Sequence, residues 1–279
     1  MFSIIIFGGS RGIGNVIAEY LISKGHEVSI ASRNSKNLDN FKQGIARQKL
    51  YVNVIRADIT NKRDVARAFK SHEAQWGRIP NVVINCAAVQ GPIGNSWVIP
   101  VKSWEETVKV NLLGSFFVVR AAIRQMIKTG YGSIVMFSGG GAAYARPNFS
   151  AYGVSKSGVL RMVETIAEEL KSAGYTNIII NAVAPGAVKT RMTSEVLKAG
   201  SKAGEKEIEE AVQVFKSGGT SSEQITNLID FLIDLQANCG LTGRLIHVRE
   251  DYKWLIKKFG AKVPEDIGKI RRIPIKVKR

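Results

Sequence analysis

Seven apolar runs rich in β-branched residues recur along the chain: SIIIFGG from Ser3, EVSIASR from Glu27, LYVNVIRAD from Leu50, NVVINCAA from Asn81, GSIVMFSGG from Gly132, NIIINAVAPG from Asn177 and GRLIHVR from Gly243. Most are nearly continuous rather than alternating. Strands of that kind are buried on both faces, as in parallel sheets covered by helices. The amphipathic stretches between them, among them 15–24, 64–76, 104–128 and 151–172, read as helices. Strand and helix therefore alternate through nearly the whole chain. The pattern predicts an α/β fold, a single domain over residues 1–249 with a doubly wound parallel β-sheet, helices on both faces and right-handed crossovers. The rhythm breaks at 190–222, a polar stretch after a strand's carboxyl end, where ligands bind in such sheets. It is expected to be a substrate lid, the alternative being a plain surface excursion. Residues 250–279 form a basic C-terminal extension.

Composition narrows the class. The 279 residues are 45% hydrophobic, which suits one large α/β domain. No apolar run approaches the roughly 20 residues of a membrane span, and MFSIIIFGG has no basic stretch before its apolar run, so neither a span nor a signal peptide is expected. Two cysteines, Cys86 and Cys239, argue against a disulfide scaffold and for a reducing, cytoplasmic setting. His26, His72 and His247 are scattered without ligand-spaced partners, so no metal is expected. The net charge of +17 could draw an anionic small molecule, anionic lipid or nucleic acid, or simply keep the surface soluble. Nucleic acid is the least favoured partner, because basic residues are not interleaved with aromatic ones.

The first apolar run ends in GGSRGIG, which places Gly8, Gly12 and Gly14 between a strand and a helix. Side chains there would block backbone approach to a pyrophosphate, and the following helix N-terminus offers free N–H groups to it. Ser10, Arg11 and Ile13 complete this dinucleotide loop, and the fold is expected to be Rossmann-like. After the second strand an NAD-preferring site usually carries an acid. Here Ser32 and Arg33 stand there instead, so NADP(H) is the predicted cofactor, its 2′-phosphate met by Arg33, Ser32 and Arg11. Asp58 and Ile59, after the third strand, are expected beside the adenine.

GGSRGIG, ADIT, NCAA, KVNLLGSFF, YGVSK, APGAVKT and LTGRLIHV follow one another in an order that resembles the short-chain dehydrogenases/reductases. The resemblance covers about residues 4–248. It implies that Tyr152 is the general acid, that Lys156 one helical turn on lowers its pKa and binds the nicotinamide ribose, and that Asn111 holds a water behind the lysine. It also places Asn85 and Ala87 along the cofactor, with Pro185, Gly186, Val188 and Thr190 closing over the nicotinamide and phosphates. Cys86 is expected to be packing, not a nucleophile. A homodimer or homotetramer is implied through the helices that carry Asn111 and Tyr152.

Two features depart from the family. Counting thirteen positions back from Tyr152, where a serine donates to the substrate oxygen, lands on Gly139 and not Ser138. Ser138 is expected to reach the site through a glycine-permitted backbone shift; otherwise Ser150, a water or the substrate supplies the donor. The extension replaces the usual short ending. Tyr252, Trp254, Leu255 and Ile256 are expected to pack back as a short helix, and KIRRIPIKVKR to cover the substrate mouth or reach a neighbouring subunit. The expected activity is NADP(H)-dependent hydride transfer between nicotinamide and a carbonyl or secondary alcohol, its charge favouring an anionic substrate such as a 3-oxoacyl carrier or nucleotide-linked sugar, or else a small ketone. The alternatives are an NADP(H)-binding sensor or scaffold with little turnover, and a sugar-modifying epimerase or dehydratase.

Overall fold

Each of the seven apolar runs becomes a strand in the computed structural model, which describes residues 1–270. β1 (Ser3–Phe7), β2 (Glu27–Ser32), β3 (Asn53–Arg56), β4 (Val82–Asn85), β5 (Gly132–Phe137), β6 (Ile178–Ala184) and β7 (Leu245–His247) form one parallel sheet in the order β3-β2-β1-β4-β5-β6-β7. Why the runs are unbroken is visible in β1. Ile4 and Ile6 enter the core on one face while Ile5 and Phe7 enter it on the other, and none has accessible surface.

The first layer is covered by α1 (Gly12–Ser23), α2 (Ser35–Arg47) and, after the polar excursion, α9 (Ser222–Ile233). The opposite layer is covered by α3 (Lys62–Trp76), α5 (Ser115–Thr129) and α6 (Ser150–Ser172). The strand order reverses on either side of β1, so a crevice opens at the carboxyl ends of β1 and β4. The excursion folds as α7 (Arg191–Ala199), a short 3₁₀ turn and α8 (Glu205–Ser217). A bridge between Val188 and Gly219 closes its base.

α4 (Val101–Val108) runs into α5 through a π-helical segment, Lys109–Gly114. The combined helix Val101–Thr129 is long and apolar enough to cross a membrane by length and composition, contrary to the expectation of no span. Its inner residues Val118, Val119, Ala122 and Met126 are wholly buried in the core beneath the sheet, as in the core helix of a folded domain.

The extension continues into α10 (Tyr252–Phe259). Tyr252 and Ile256 pack on the core, the Tyr252 ring lying 4.8 Å from that of Phe231, whereas Trp254 is 47% exposed and rests edge-on against Phe259. Arg244 then gathers the chain: its guanidinium donates to the carbonyls of Val263, Pro264, Glu265 and Ile267. Leu245 N–H donates to Gly268 O at 2.7 Å, and Ile270 N–H to Glu164 in the second half of α6. This path follows the β7 edge toward the start of that strand, the end of the sheet opposite Tyr152. Through residue 270, therefore, the extension does not cover the substrate mouth; the rest of KIRRIPIKVKR lies outside the described residues.

His72 is a core histidine. It is fully buried, with Nε2 2.8 Å from Ser3 Oγ and Nδ1 2.8 Å from Ser29 Oγ, and burial pulls its pKa down to about 4. Unfolded chains take up this proton near pH 6.5, before folded ones do. The stability it supports is thus present above pH 6.5 and is lost as pH falls toward 4, by at most about 3 kcal/mol. Chemical denaturation from pH 7 to pH 4 should show that decline, flattened in His72→Asn.

Candidate active site

The glycine loop lies flat at the end of β1 for steric reasons. Gly8 has φ +79°, and a Cβ on it would stand 2.6 Å from Ala87 N; a Cβ on Gly14 would stand 2.4 Å from Gly8 O. Gly12 differs: a Cβ there would meet only Thr190 Cγ2, at 3.9 Å. Its outer face is open, and Arg11, the N-cap of α1, makes no side-chain cap, so the helix N-terminus keeps its donors for a ligand. These features fit a dinucleotide pyrophosphate. Ile13 packs beneath the loop on the core.

At the end of β2, Ser10 Oγ donates to Ser32 Oγ at 2.9 Å. Arg33 is 3.7 Å from Asp58, whose other oxygen accepts from the N–H and hydroxyl of Thr60. Burial, and repulsion from Arg191 and Arg33, lower the pKa of Arg11, with Glu195 opposing. Arg11 thus feels the charges of Arg33 and Arg191, the latter paired with Glu195 at 3.2 Å. A cleft of about 620 Å³ runs from Arg33 and Asp58 to Val89 and Gly91.

The chemical centre is built where β4, β5 and α6 meet. The π segment turns Asn111, which is fully buried, toward the 89–94 loop: its side chain accepts from Val89 N–H and donates to Val89 O, both at 2.9 Å, and to Ser155 Oγ at 3.1 Å. Ser155 Oγ in turn donates to Tyr152 O at 2.8 Å. Lys156 is 3% exposed; its ammonium donates to Phe137 O at 2.7 Å and lies 5.6 Å from the centre of the Tyr152 ring. Burial lowers the lysine to about 8 and raises the tyrosine above its ordinary value. Gly139 faces the phenol: a Cβ there would stand 2.8 Å from the Tyr152 hydroxyl. A half-buried proton donor, a buried ammonium beside it and an adjoining dinucleotide cradle can together protonate a carbonyl oxygen at the cofactor.

Residues 3–200 match the family described as short chain dehydrogenase. The chain belongs to that family. It is an NAD(P)-dependent oxidoreductase acting on a carbonyl or alcohol. The dehydrogenase is 28% identical over 248 residues to the 3-oxoacyl-[acyl-carrier-protein] reductase FabG of Aquifex aeolicus, covering 88% of this chain and 94% of that protein. It is 31% identical over 193 residues to the 3-oxoacyl-[acyl-carrier-protein] reductase MabA of Mycobacterium tuberculosis, covering 68% and 71%. Among solved structures, NAD+-bound xylitol dehydrogenase superposes with a TM-score of 0.77 at 25% identity, covering 88% of this chain and 96% of the other.

Several residues of the dehydrogenase sit differently from expectation. Ser138 does not reach the phenol. β5 pairing fixes its backbone, with Ser138 N–H donating to Val183 O, and its buried hydroxyl turns to Lys156 O at 3.4 Å. The glycines do not shift the chain, so position 139 keeps the place beside Tyr152. Asn85 spends its side chain internally, donating to Ser115 Oγ and accepting from Ala87 N–H, which fixes the backbone of Cys86 and Ala87 instead of presenting an amide to a ligand. Ile59 is buried, and a Cβ on Gly114 would meet its tip at 2.8 Å. Two cations stand by the tyrosine, Lys156 at 5.6 Å and Arg146 at 5.9 Å from the ring centre, and one N–H of the lysine is held by Phe137 O. Pro185 follows β6, Gly186 has φ +68° against Thr220, Val188 anchors the base of the excursion, and Thr190 precedes α7 beside Gly12 without a side-chain cap. Burial pushes the Cys86 thiol up to about 12, as for a packed, inert cysteine.

Sequence reasoning missed Arg146. It pairs with Glu207 of α8 at 2.5 Å, lies over the Phe149 ring at 3.8 Å and is 5.9 Å from the centre of the Tyr152 ring. Phe149, Val196, Ala203 and Ala211 form a separate apolar cluster to which Tyr152 and Ile93 are joined. No spacing signal marks Arg146, because its partner lies 61 positions away.

Proposed function

We propose that the chain is an NADP(H)-dependent reductase of a carbonyl substrate, with α7 and α8 as the lid over Tyr152. The observation that carries the cofactor choice is the gathering of Arg11, Arg33 and Arg191 beside Ser10 and Ser32, with no acid ending β2. Their mutual repulsion favours a dianionic group among them, and a 2′-phosphate supplies it. Asp58 offsets part of the Arg33 charge and Glu195 part of the Arg191 charge, so the preference rests on the three cations together. The relatives do not decide it: a solved actinorhodin polyketide ketoreductase is in complex with NADPH, and a 2-dehydro-3-deoxy-L-rhamnonate dehydrogenase of Sphingomonas is an NAD(+) enzyme.

The bound cofactor supplies the hydride. The chain's own residues do the rest. The loop backbone and Thr190 hold the phosphates, Lys156 holds the ribose hydroxyls, and Tyr152 gives its proton to the carbonyl oxygen. Its raised pKa keeps the phenol protonated at neutral pH, which suits reduction over oxidation. The basic surface favours an anionic carbonyl compound, and the relatives FabG and MabA are named for 3-oxoacyl-[acyl-carrier-protein] substrates. The second reading, a nucleotide sensor, is favoured only by the missing hydroxyl at Gly139. Leu113, Phe116 and Val154 stay exposed on the two helices expected to pair between copies; a monomer at micromolar concentration would contradict that pairing.

Titration with NADPH and NADH tests the cofactor assignment. Arg33→Ala should weaken NADPH about 10-fold or more, as loss of a charge-assisted pair does, and leave NADH nearly unchanged. Equal losses for both would contradict a 2′-phosphate site.

A further inference from the structure

We propose that the ion pair between Arg146 and Glu207 latches α7 and α8 shut over Tyr152, which makes Arg146 a positioning residue for the reduction. The inference rests on the reading of α7 and α8 as a lid. The excursion has a base and a tip. At the base, Val188 bridges Gly219 and Thr220 N–H donates to Ala187 O at 2.8 Å, with Gly218 and Gly219 both at positive φ. At the tip, the Asn148 amide donates to Ala203 O at 3.4 Å and the Arg146 guanidinium donates to the Glu207 carboxylate at 2.5 Å. Among the described residues this is the one ion pair that ties the excursion to the body; the pair of Arg191 with Glu195 lies within α7.

Little else holds the tip. α7 buries Val196, the turn after it Ala203, and α8 Ala211 and Val214, whereas α9 alone buries seven residues. Two of those four are alanines, so the apolar area beneath the lid is small, and a segment with few buried apolar contacts opens easily. The pair itself is well sheltered. Each side chain is 15% exposed, so the charges meet through less water than those of a surface pair. The guanidinium also lies 3.8 Å from the centre of the Phe149 ring, which has no accessible surface. Arg146 is thus fixed to the body, and Glu207 is the half that moves. The glycine run makes room for this arrangement. Ala142 N–H donates to Gly139 O at 3.1 Å, closing a tight turn with Gly141 at φ +88°. A Cβ on Gly139 would stand 2.8 Å from the Tyr152 hydroxyl, and one on Gly141 3.1 Å from Arg146 Cβ. Closure covers the Tyr152 ring with the cluster of Phe149 and Val196, and so keeps water from the proton transfer.

The test reads hydrogen exchange of the α7 and α8 backbone N–H groups in the full chain, with NADPH affinity, melting temperature and kcat/KM over a carbonyl panel. Glu207→Gln should speed that exchange about 10-fold or more, the worth of a charge-assisted bond. It should lower kcat/KM by a similar factor, while NADPH affinity and the melting temperature, which the cradle and the core set, change little. Arg146→Lys should keep part of both protection and rate. Exchanging the partners, Arg146→Glu with Glu207→Arg, should return protection toward wild type, which two unrelated lesions would not do. Unchanged exchange in Glu207→Gln overturns the latch and leaves the reductase standing. Faster exchange with kcat/KM intact overturns the positioning role. If wild type binds NADPH and reduces nothing, the reductase reading fails and takes the positioning role with it, while exchange still decides the latch.

Discussion

Tyr152→Phe is expected to lower kcat/KM for carbonyl reduction by about 10²–10⁴-fold, the usual worth of a positioned proton donor, while NADPH still binds. The substitution removes one oxygen. The ring stays in its cluster with Phe149 and Val196, and the Tyr152 carbonyl still accepts from Ser155, so neither fold nor cradle has reason to change. The pH dependence follows from the neighbours. Burial holds the phenol protonated through the neutral range, so reduction should vary little there. Lys156, lowered to about 8, loses its charge above that pH, and reduction should decline with it. Steady-state rates from pH 6 to pH 10 check both statements. Wild-type turnover by Tyr152→Phe would remove the phenol from the chemistry.

The second large effect is at Gly14. In Gly14→Ala the new methyl would stand 2.4 Å from Gly8 O and 3.0 Å from its carbonyl carbon, and both are backbone in a loop already pressed on Ala87. Nothing there is the free end of a side chain, so α1 must move off β1. Overpacking of this kind costs about 1–3 kcal/mol, and the displaced helix N-terminus should lose NADPH affinity as well. Gly12→Ala provides the contrast. Its methyl meets little, so the fold should tolerate it apart from the strain of φ +56°, but the methyl occupies the face open to the pyrophosphate. Melting curves with NADPH titrations separate the two: Gly14→Ala should lose both quantities, Gly12→Ala chiefly affinity.

The fold was legible because parallel strands buried on both faces leave unbroken apolar runs, and all seven appear in the sheet. The π turn at Lys109–Gly114 was not legible, since KVNLLG reads like any helical stretch; only the clasp of Asn111 on Val89 shows its use. The glycine loop was readable because its constraint is local. What the sequence hid depends on which way side chains turn. Ser138 and Gly139 are adjacent, yet strand alternation sends one hydroxyl to Lys156 O and puts the bare glycine beside the phenol. The four-residue spacing does bring the Lys156 ammonium to 5.6 Å from the Tyr152 ring, but the strand-end carbonyl of Phe137 that also holds it was not readable. Arg146 was invisible because its partner, Glu207, lies far along the chain.

The most direct measurement is isotope transfer from NADPH carrying deuterium at both positions of the nicotinamide C4. Incubated with a carbonyl panel, the wild-type chain should deliver the label to the carbinol carbon of an alcohol product, and Tyr152→Phe should deliver almost none. Tight NADPH binding with no label appearing in any alcohol would contradict the reductase and leave a nucleotide-binding protein.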